Sequence, residues 1–144
     1  MTFNAERYQG HWCEVGRQNA PFEAFCAKSS ADYTLITTGC DVPYLKVVNH
    51  CFDCKGAEIT NISGKVTAVP CSQGVFNLVF DSGETGIYRV LYTDYDHFSF
   101  VGNLTTGYLS ILSRCATVSP AEVALLRQLA GIYGFKSVNF VGVS

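Results

Sequence analysis

The chain has 144 residues, of which 48% are hydrophobic and 15% charged, and its formal net charge at pH 7 is −2. This length suits one domain, 1–144, and the composition is typical of a folded protein with a large apolar interior. No cluster of lysine or arginine is present, so nucleic acid is not an expected partner. No apolar run reaches membrane-spanning length, and the N-terminus does not resemble a signal peptide. A cytoplasmic location is expected unless a leader has been removed.

Alternating apolar and polar residues predict eight β-strands in succession. Short links rich in turn residues, such as 81–84, join them as hairpins and describe an antiparallel meander. A long meander protects its edges best by closing into a barrel, which with eight strands either holds one small ligand or is filled by side chains. The predicted strands are 11–18, 31–37, 44–50, about 58–69, 75–80, 86–93, 97–102 and 108–113.

The periodicity changes after the eighth strand. Ser119, Pro120 and Glu122 form a helix start with a capping box, and apolar residues then recur at helical spacing to a stop at 131–134. A short last strand is predicted over 137–141. One amphipathic helix after eight strands must bury its apolar face against the outside of the barrel, because the inside is already enclosed.

Three separated segments resemble the three signature regions of the lipocalins: Gly10-x-Trp12, Thr93-Asp94-Tyr95 and Leu112-Ser113-Arg114. Phe22-Glu23, Asn49-x-Cys51 and the run 108–114 make the chain similar to the bacterial lipocalin and apolipoprotein D branch, from residue 3 to about residue 141. The resemblance implies an all-β fold, an eight-stranded antiparallel up-and-down β-barrel with one C-terminal α-helix packed on its outside. It also implies that the segment 19–26 folds over the open mouth of the barrel.

The resemblance further implies which strand residues face the lumen. The set is apolar and aromatic with few polar groups, which is the usual composition of a small-molecule site. Relatives in this branch carry tryptophan where this chain has Ser110, which favours an open cavity over a filled one. Leu45, Phe80 and Leu112 are also expected to face inward. The expected ligand-binding residues are Tyr33, Leu35, Val47, Asn49, Phe76, Leu78, Tyr88, Val90, Tyr92, Phe98, Phe100, Tyr108 and Ser110.

The function implied by the resemblance is binding, transport or storage of a small hydrophobic ligand, such as a fatty acid, lysophospholipid or similar lipid. No cofactor is expected. This function is compatible with a monomer or a homodimer, and with peripheral contact with a membrane. Two alternatives stay open: a thiol-dependent isomerase or scavenger acting in the same barrel, and a membrane-associated protein that protects lipid without one cognate ligand.

At the closed end of the barrel, the resemblance places the guanidinium of Arg114 over the indole of Trp12, a cation–π contact with a structural role. Glu14 shares the parity of Trp12. We expect it to be a hydrogen-bonded structural carboxylate rather than an acid with a raised pKa.

Seven cysteines leave at least one thiol unpaired within a monomer. Cys51 and Cys54, beside His50, could form half of a zinc site or a redox pair, but no second pair at metal spacing accompanies them, so no metal is expected. The family often ties its Asn-x-Cys strand to the C-terminal tail, and this tail has no cysteine. Two alternatives are weighed equally: a disulfide from Cys26 to Cys51 or Cys54, and seven reduced thiols. The strand 31–37 lacks the lumenal cysteine of the enzymatic lipocalin branch, so no catalytic residue is expected.

Overall fold

A computed structural model of the chain describes residues 3–18, 26–39 and 42–143. The segment expected to cover the mouth, 19–26, lies outside the described residues except for Cys26. The elements in chain order are α1 Ala5–Tyr8, β1 Gly10–Gln18, β2 Lys28–Ile36, β3 Tyr44–Phe52, β4 Glu58–Ala68, β5 Val75–Phe80, β6 Thr85–Thr93, β7 Phe98–Asn103, β8 Leu109–Ser113, α2 Pro120–Ile132 and β9 Asn139–Phe140.

The strands from β1 to β8 form a closed antiparallel barrel. Each strand pairs with the next along the chain, and β1 closes the ring by pairing with β2 through its first half and with β8. The second half of β1 pairs on its free edge with β9, where Gly16 lies opposite Phe140. The predicted fold of eight antiparallel strands, an outer C-terminal helix and a short last strand is confirmed.

Within the described residues, three register shifts interrupt the strand pairing. One lies where Cys51 and Phe52 of β3 face β4, and the other two are β-bulges that change which side chains face the lumen. The register shifts between Glu14 and Gly16 in β1, and between Val90 and Tyr92 in β6. Each bulge adds one residue, so side chains on its two sides follow opposite parities. A single parity assignment along either strand is therefore correct on only one side of the bulge.

The largest buried cluster lies between the barrel and α2. Leu126 and Ala130 of the helix are fully buried against Phe100 and Ile111 of the barrel's outer face. The helix starts as predicted, with the Ser119 side chain accepting from the backbone N–H of Glu122 and the Glu122 side chain accepting from the backbone N–H of Ser119. Neither helix of the described ranges is long and apolar enough to cross a membrane.

Candidate ligand-binding site

A cavity of about 380 Å³ lies inside the barrel. We call the end formed by α1 and the β6–β7 turn the closed end, and the opposite end, where β1 ends and β2 begins, the mouth. Apolar side chains dominate the cavity wall, and the polar side chains gather toward the mouth. A volume above about 300 Å³ is within the range of small-molecule sites, so the lumen is open and not filled by side chains.

Most of the residues expected to bind ligand lie in the wall of this cavity. The alternation of β2, β3, β5 and the first half of β6 turns them inward, as expected for regular strands. Leu45 and Leu112 join them. Leu35 instead belongs to the buried cluster at the closed end. The expected residues that line the cavity are Tyr33, Val47, Asn49, Phe76, Leu78, Tyr88, Val90, Tyr108 and Ser110.

The inward orientation predicted for Tyr92, Phe98 and Phe100 is wrong. The β6 bulge separates Val90, which lines the cavity, from Tyr92, which packs into the cluster beneath α2. Phe100 pairs with Tyr92, is fully buried, and lies 6.2 Å from the ring centroid of Tyr133 at the end of the helix. Paired residues share a face of the sheet. Phe100 therefore faces outward with Tyr92, and Val101, which pairs with Val90, lines the cavity instead.

Several wall residues were missed by the sequence reasoning. The sequence offered a signal for those on β4, because Thr60, Ile62 and Val66 alternate within the predicted fourth strand, to which no parity was assigned. Phe3 and Tyr8 reach the cavity from the N-terminal segment around α1, where no strand periodicity applies. Their placement depends on tertiary packing alone.

A charged pair lies beside the cavity on β1. The Glu14 side chain is almost fully buried, and its Oε1 lies 2.8 Å from Nε of Arg17. The first bulge permits this contact, because it turns Arg17 to the same side as Glu14 although the spacing predicts opposite faces. The expectation that Glu14 is a hydrogen-bonded structural carboxylate agrees with this arrangement.

Three hydroxyl groups complete the surroundings of Glu14. Ser29 donates to Oε1 at 3.1 Å, and Tyr108 and Ser110 each donate to Oε2 at 2.5 Å. Arg17 also donates through Nη1 to the carbonyl of Cys26 at 3.0 Å. The carboxylate is thus compensated by protein groups, as a buried charge requires.

Neutral polar groups supply the remaining polarity of the deeper wall. Burial raises the pKa of the Tyr33 phenol, and the neighbouring Tyr88 raises it further. Burial likewise raises the pKa of Tyr8, whose hydroxyl lies 2.7 Å from that of Ser99. Both phenols are therefore neutral at physiological pH and can hydrogen-bond a ligand without adding charge.

The closed end is held by Trp12 and Arg114. The indole is fully buried and donates through Nε1 to the carbonyl of Tyr8 at 2.9 Å. The Arg114 guanidinium lies 3.7 Å from the indole centroid and donates to the carbonyls of Tyr95, His11 and Arg7. Gly10, at φ +107°, passes so close to Arg114 that a Cβ there would lie 3.1 Å from Nη1.

The turn 93–95 caps the same end. Asp94 Oδ1 accepts from the backbone N–H groups of His97 and Phe98, at 2.8 and 2.9 Å. The Thr93 hydroxyl accepts from the backbone N–H of Tyr95, which adopts a positive φ of 66°. Thr93, Asp94 and Tyr95 thus order the chain at this end, and none of the three lines the cavity.

Cys26 and Cys51 form a disulfide at the mouth, with their Cα atoms 5.2 Å apart. This is one of the two pairings weighed from the sequence, and it leaves Cys54 as an exposed free thiol. Because the sulfur of Cys51 is bonded to Cys26, a metal or redox pair of Cys51 with Cys54 does not form. Within the described ranges, no group of three or more His, Cys, Asp and Glu side chains is arranged to hold a metal ion.

Comparison with known proteins agrees with this geometry. A family model described as a lipocalin-like domain matches residues 3–143. The outer membrane lipoprotein Blc of Vibrio cholerae is 30% identical over 144 residues, which cover 98% of this chain and 82% of that protein.

Solved structures share the fold at low identity. Insecticyanin from the tobacco hornworm Manduca sexta has a TM-score of 0.75 at 16% identity, covering 99% of this chain and 82% of that one. The cockroach allergen Per a 4 has a TM-score of 0.73 at 20% identity, with coverages of 99% and 89%. Lobster apocrustacyanin A1 has a TM-score of 0.71 at 15% identity, with coverages of 96% and 78%. The chain therefore belongs to the lipocalin-like family, whose members bind and transport small hydrophobic ligands.

Proposed function

We propose that the protein binds and carries one hydrophobic molecule inside its barrel, and that this ligand is a fatty acid, a lysophospholipid or a similar lipid. The observation that carries the proposal is the apolar cavity of about 380 Å³. Burying apolar ligand surface contributes about 25 cal/mol per Å², so a chain that fills such a cavity gains most of its affinity from the walls.

The distribution of polarity in the lumen supports an amphiphilic ligand. Leu45 and Val47 on β3 and Leu78 on β5, all nearly fully buried, contribute apolar surface to the wall. The polar side chains lie toward the mouth, around Glu14 and Asn49. An acyl chain in the deep part with its polar end near the mouth matches this division.

The positions of the thiols support binding over catalysis in the lumen. A lumenal thiol enzyme needs a free cysteine beside its substrate. In the part of the chain that the structure describes, Cys51 and Cys26 reach the cavity wall, and both are bonded in the disulfide. We therefore propose that the protein is a carrier and not an isomerase or scavenger of this type.

A pair of tryptophan substitutions on β6 tests the proposal. Val90 lines the cavity, whereas Ile87 on the same strand is 43% exposed on the outer face. Val90→Trp should fill part of the lumen and weaken binding of a fluorescent fatty acid by roughly tenfold or more, a loss of about 1.4 kcal/mol. The matched control Ile87→Trp should leave the affinity unchanged.

Displacement of the probe by unlabelled fatty acid and lysophospholipid would then rank the two ligand classes. Binding to the Val90→Trp variant at undiminished affinity, with the fold intact by circular dichroism, would refute a lumenal site. The oligomeric state, monomer or homodimer, and peripheral membrane contact remain predictions, testable by analytical ultracentrifugation and vesicle sedimentation.

A further inference from the structure

On the outer face of the barrel, a cysteine contacts a histidine, and the same histidine contacts an aspartate. The Sγ of Cys13 is 3.3 Å from Nε2 of His11, and Nδ1 of His11 is 2.7 Å from Oδ1 of Asp32. These are hydrogen-bond distances between a nucleophile, a base and the group that orients the base. None of the three lines the cavity.

The sheet geometry explains the alignment. His11 and Cys13 are two residues apart on β1 and so share a face, and Asp32 of β2 lies directly opposite His11 in the antiparallel register. When Nδ1–H of His11 donates to the carboxylate, Nε2 carries the lone pair and can accept the proton of the Cys13 thiol.

A second histidine holds the carboxylate from the other side. Nε2 of His50 lies 3.0 Å from Oδ2 of Asp32, and Nδ1 of His50 contacts Glu58. The two oxygens of Asp32 are thus directed to different imidazoles. Its orientation toward His11 is fixed by contacts on strands β1, β2 and β3, and does not depend on one flexible side chain.

We propose that Cys13 is a modification site that forms a mixed disulfide with small-molecule disulfides, with His11 as its base and Asp32 as the positioning residue. Cys13, His11 and Asp32 lie outside the cavity, so the proposal does not rest on the ligand that the cavity carries. The modified face lies outside the barrel, so a lumenal ligand should not protect it.

The exchange step is balanced without an added oxidant or reductant. As the proton of Cys13 moves to Nε2 of His11, Sγ attacks one sulfur of the small disulfide. A bond forms between Sγ and that sulfur, the original S–S bond breaks, and the departing thiolate takes up the proton from the imidazolium or from water. One disulfide is consumed and one is formed.

The electrostatic surroundings explain why a base is needed. Burial raises the pKa of the Cys13 thiol, Asp32 and Cys115 raise it further, and Lys28 opposes them. A thiol with a raised pKa contains little thiolate at neutral pH, so its reactivity depends on proton transfer to His11. Among the described residues, Cys13 is the free cysteine with an imidazole at hydrogen-bond distance.

The test compares individual thiols in the folded protein. Two proteins are prepared, each retaining the Cys26–Cys51 disulfide and one further cysteine, either Cys13 or Cys54, with serine in place of every other cysteine. Their second-order rate constants are measured at pH 7 with 5,5′-dithiobis(2-nitrobenzoic acid), and oxidised glutathione adducts are located by mass spectrometry. Cys54 is exposed, so accessibility alone predicts that it reacts faster.

We expect Cys13 to react at least about tenfold faster than Cys54, and His11→Asn to remove that advantage. His97→Asn is the matched control, because His97 also pairs with an aspartate, Asp94, but belongs to a separate turn. Asp32→Asn should slow Cys13 and change its pH profile. The rate of the parent should depend less steeply on pH than the rate of the variant, which should follow thiol ionisation alone.

Cys13 slower than Cys54, or a Cys13 rate unaffected by His11→Asn, would overturn the proposal. Unchanged Trp12 fluorescence in each variant establishes that the fold is intact. Because the assay contains no lipid, its failure would leave the proposed carrier function untouched, and failure of the Val90→Trp experiment would leave this site untouched.

Discussion

Glu14 is a buried carboxylate whose contacts come from three strands that meet where the barrel closes. Ser29 lies on β2, Ser110 on β8, and Arg17 on β1 itself, beyond the bulge. Since β1 pairs with both β2 and β8, the carboxylate joins the two sides of the closure at one point. Although Glu14 lies beside the cavity, we therefore expect its main role to be stabilisation of the fold.

Glu14→Gln removes the charge but keeps the size of the side chain. We expect it to lower the free energy of unfolding by about 2–4 kcal/mol, because Arg17 loses a buried ionic partner and the amide N–H₂ faces groups that donate. Urea denaturation measures the loss. Glu84→Gln, at an exposed hairpin position, should change stability by less than about 0.5 kcal/mol. Equal effects of the two substitutions would contradict the structural role of Glu14.

Arg114→Ala uncovers the indole of Trp12 and leaves three backbone carbonyls without their side-chain donor. We expect stability to fall by about 1–3 kcal/mol, whereas ligand affinity at the cavity persists. Arg114→Lys should recover only part of the loss, since one ammonium cannot reproduce the planar guanidinium. A variant that keeps its melting temperature but loses ligand binding would contradict the separation of the closed end from the site.

At the scale of elements, regular strands were predictable and interrupted ones were not. Strand β5 has the predicted bounds and inward residues, because no register shift breaks the alternation that places Phe76, Leu78 and Phe80 on one face. In β6 neither glycine nor proline marks the bulge at Leu91, and the run Val90, Leu91 and Tyr92 is apolar throughout, so the sequence does not show which of the three faces the lumen. Tyr92 and Phe100 pack beneath the outer helix. Hydrophobic periodicity in the sequence cannot distinguish that apolar environment from the lumen.

The β6–β7 turn gives a pH-dependent prediction. Burial acts to raise the pKa of Asp94, but backbone N–H groups of Phe98 and His97 and the His97 ring outweigh it, and the net pKa lies below its ordinary value. Such a carboxylate stabilises the fold above the unfolded-state pKa of about 3.9, and this contribution is lost as pH falls through the lower folded value.

Asp94→Asn keeps an oxygen acceptor for the turn but cannot titrate. The difference in unfolding free energy between the wild type and this variant should shrink as pH falls from about 5 to 3. Urea denaturation at each pH measures it, with Asp81→Asn, at an exposed position in another hairpin, as the control. A difference that stays constant with pH would show that the turn does not depend on the charge of Asp94.

At the scale of the whole molecule, the barrel and its family were predictable because three short motifs and a capped helix occur in the right order. The open lumen was less predictable from the sequence, because the same inward residues could either line a cavity or fill it. Its polarity was also only partly predictable. Glu14 and Arg17 meet through a bulge, and Phe3 and Tyr8 enter the wall from the N-terminal segment. Contacts of this kind depend on closure of the whole ring and leave no local pattern.

Methyl NMR during titration with lauric acid can locate a hydrophobic ligand inside the barrel. Intermolecular nuclear Overhauser effects are expected from the acyl chain to methyl groups of Leu45, Val47, Leu78 and Val90, which line the cavity. None is expected to Val79 and Ile87, which are 46% and 43% exposed on the outer face. Contacts to the outer methyl groups alone, or saturable binding without contacts to the lumenal ones, would contradict binding inside the barrel.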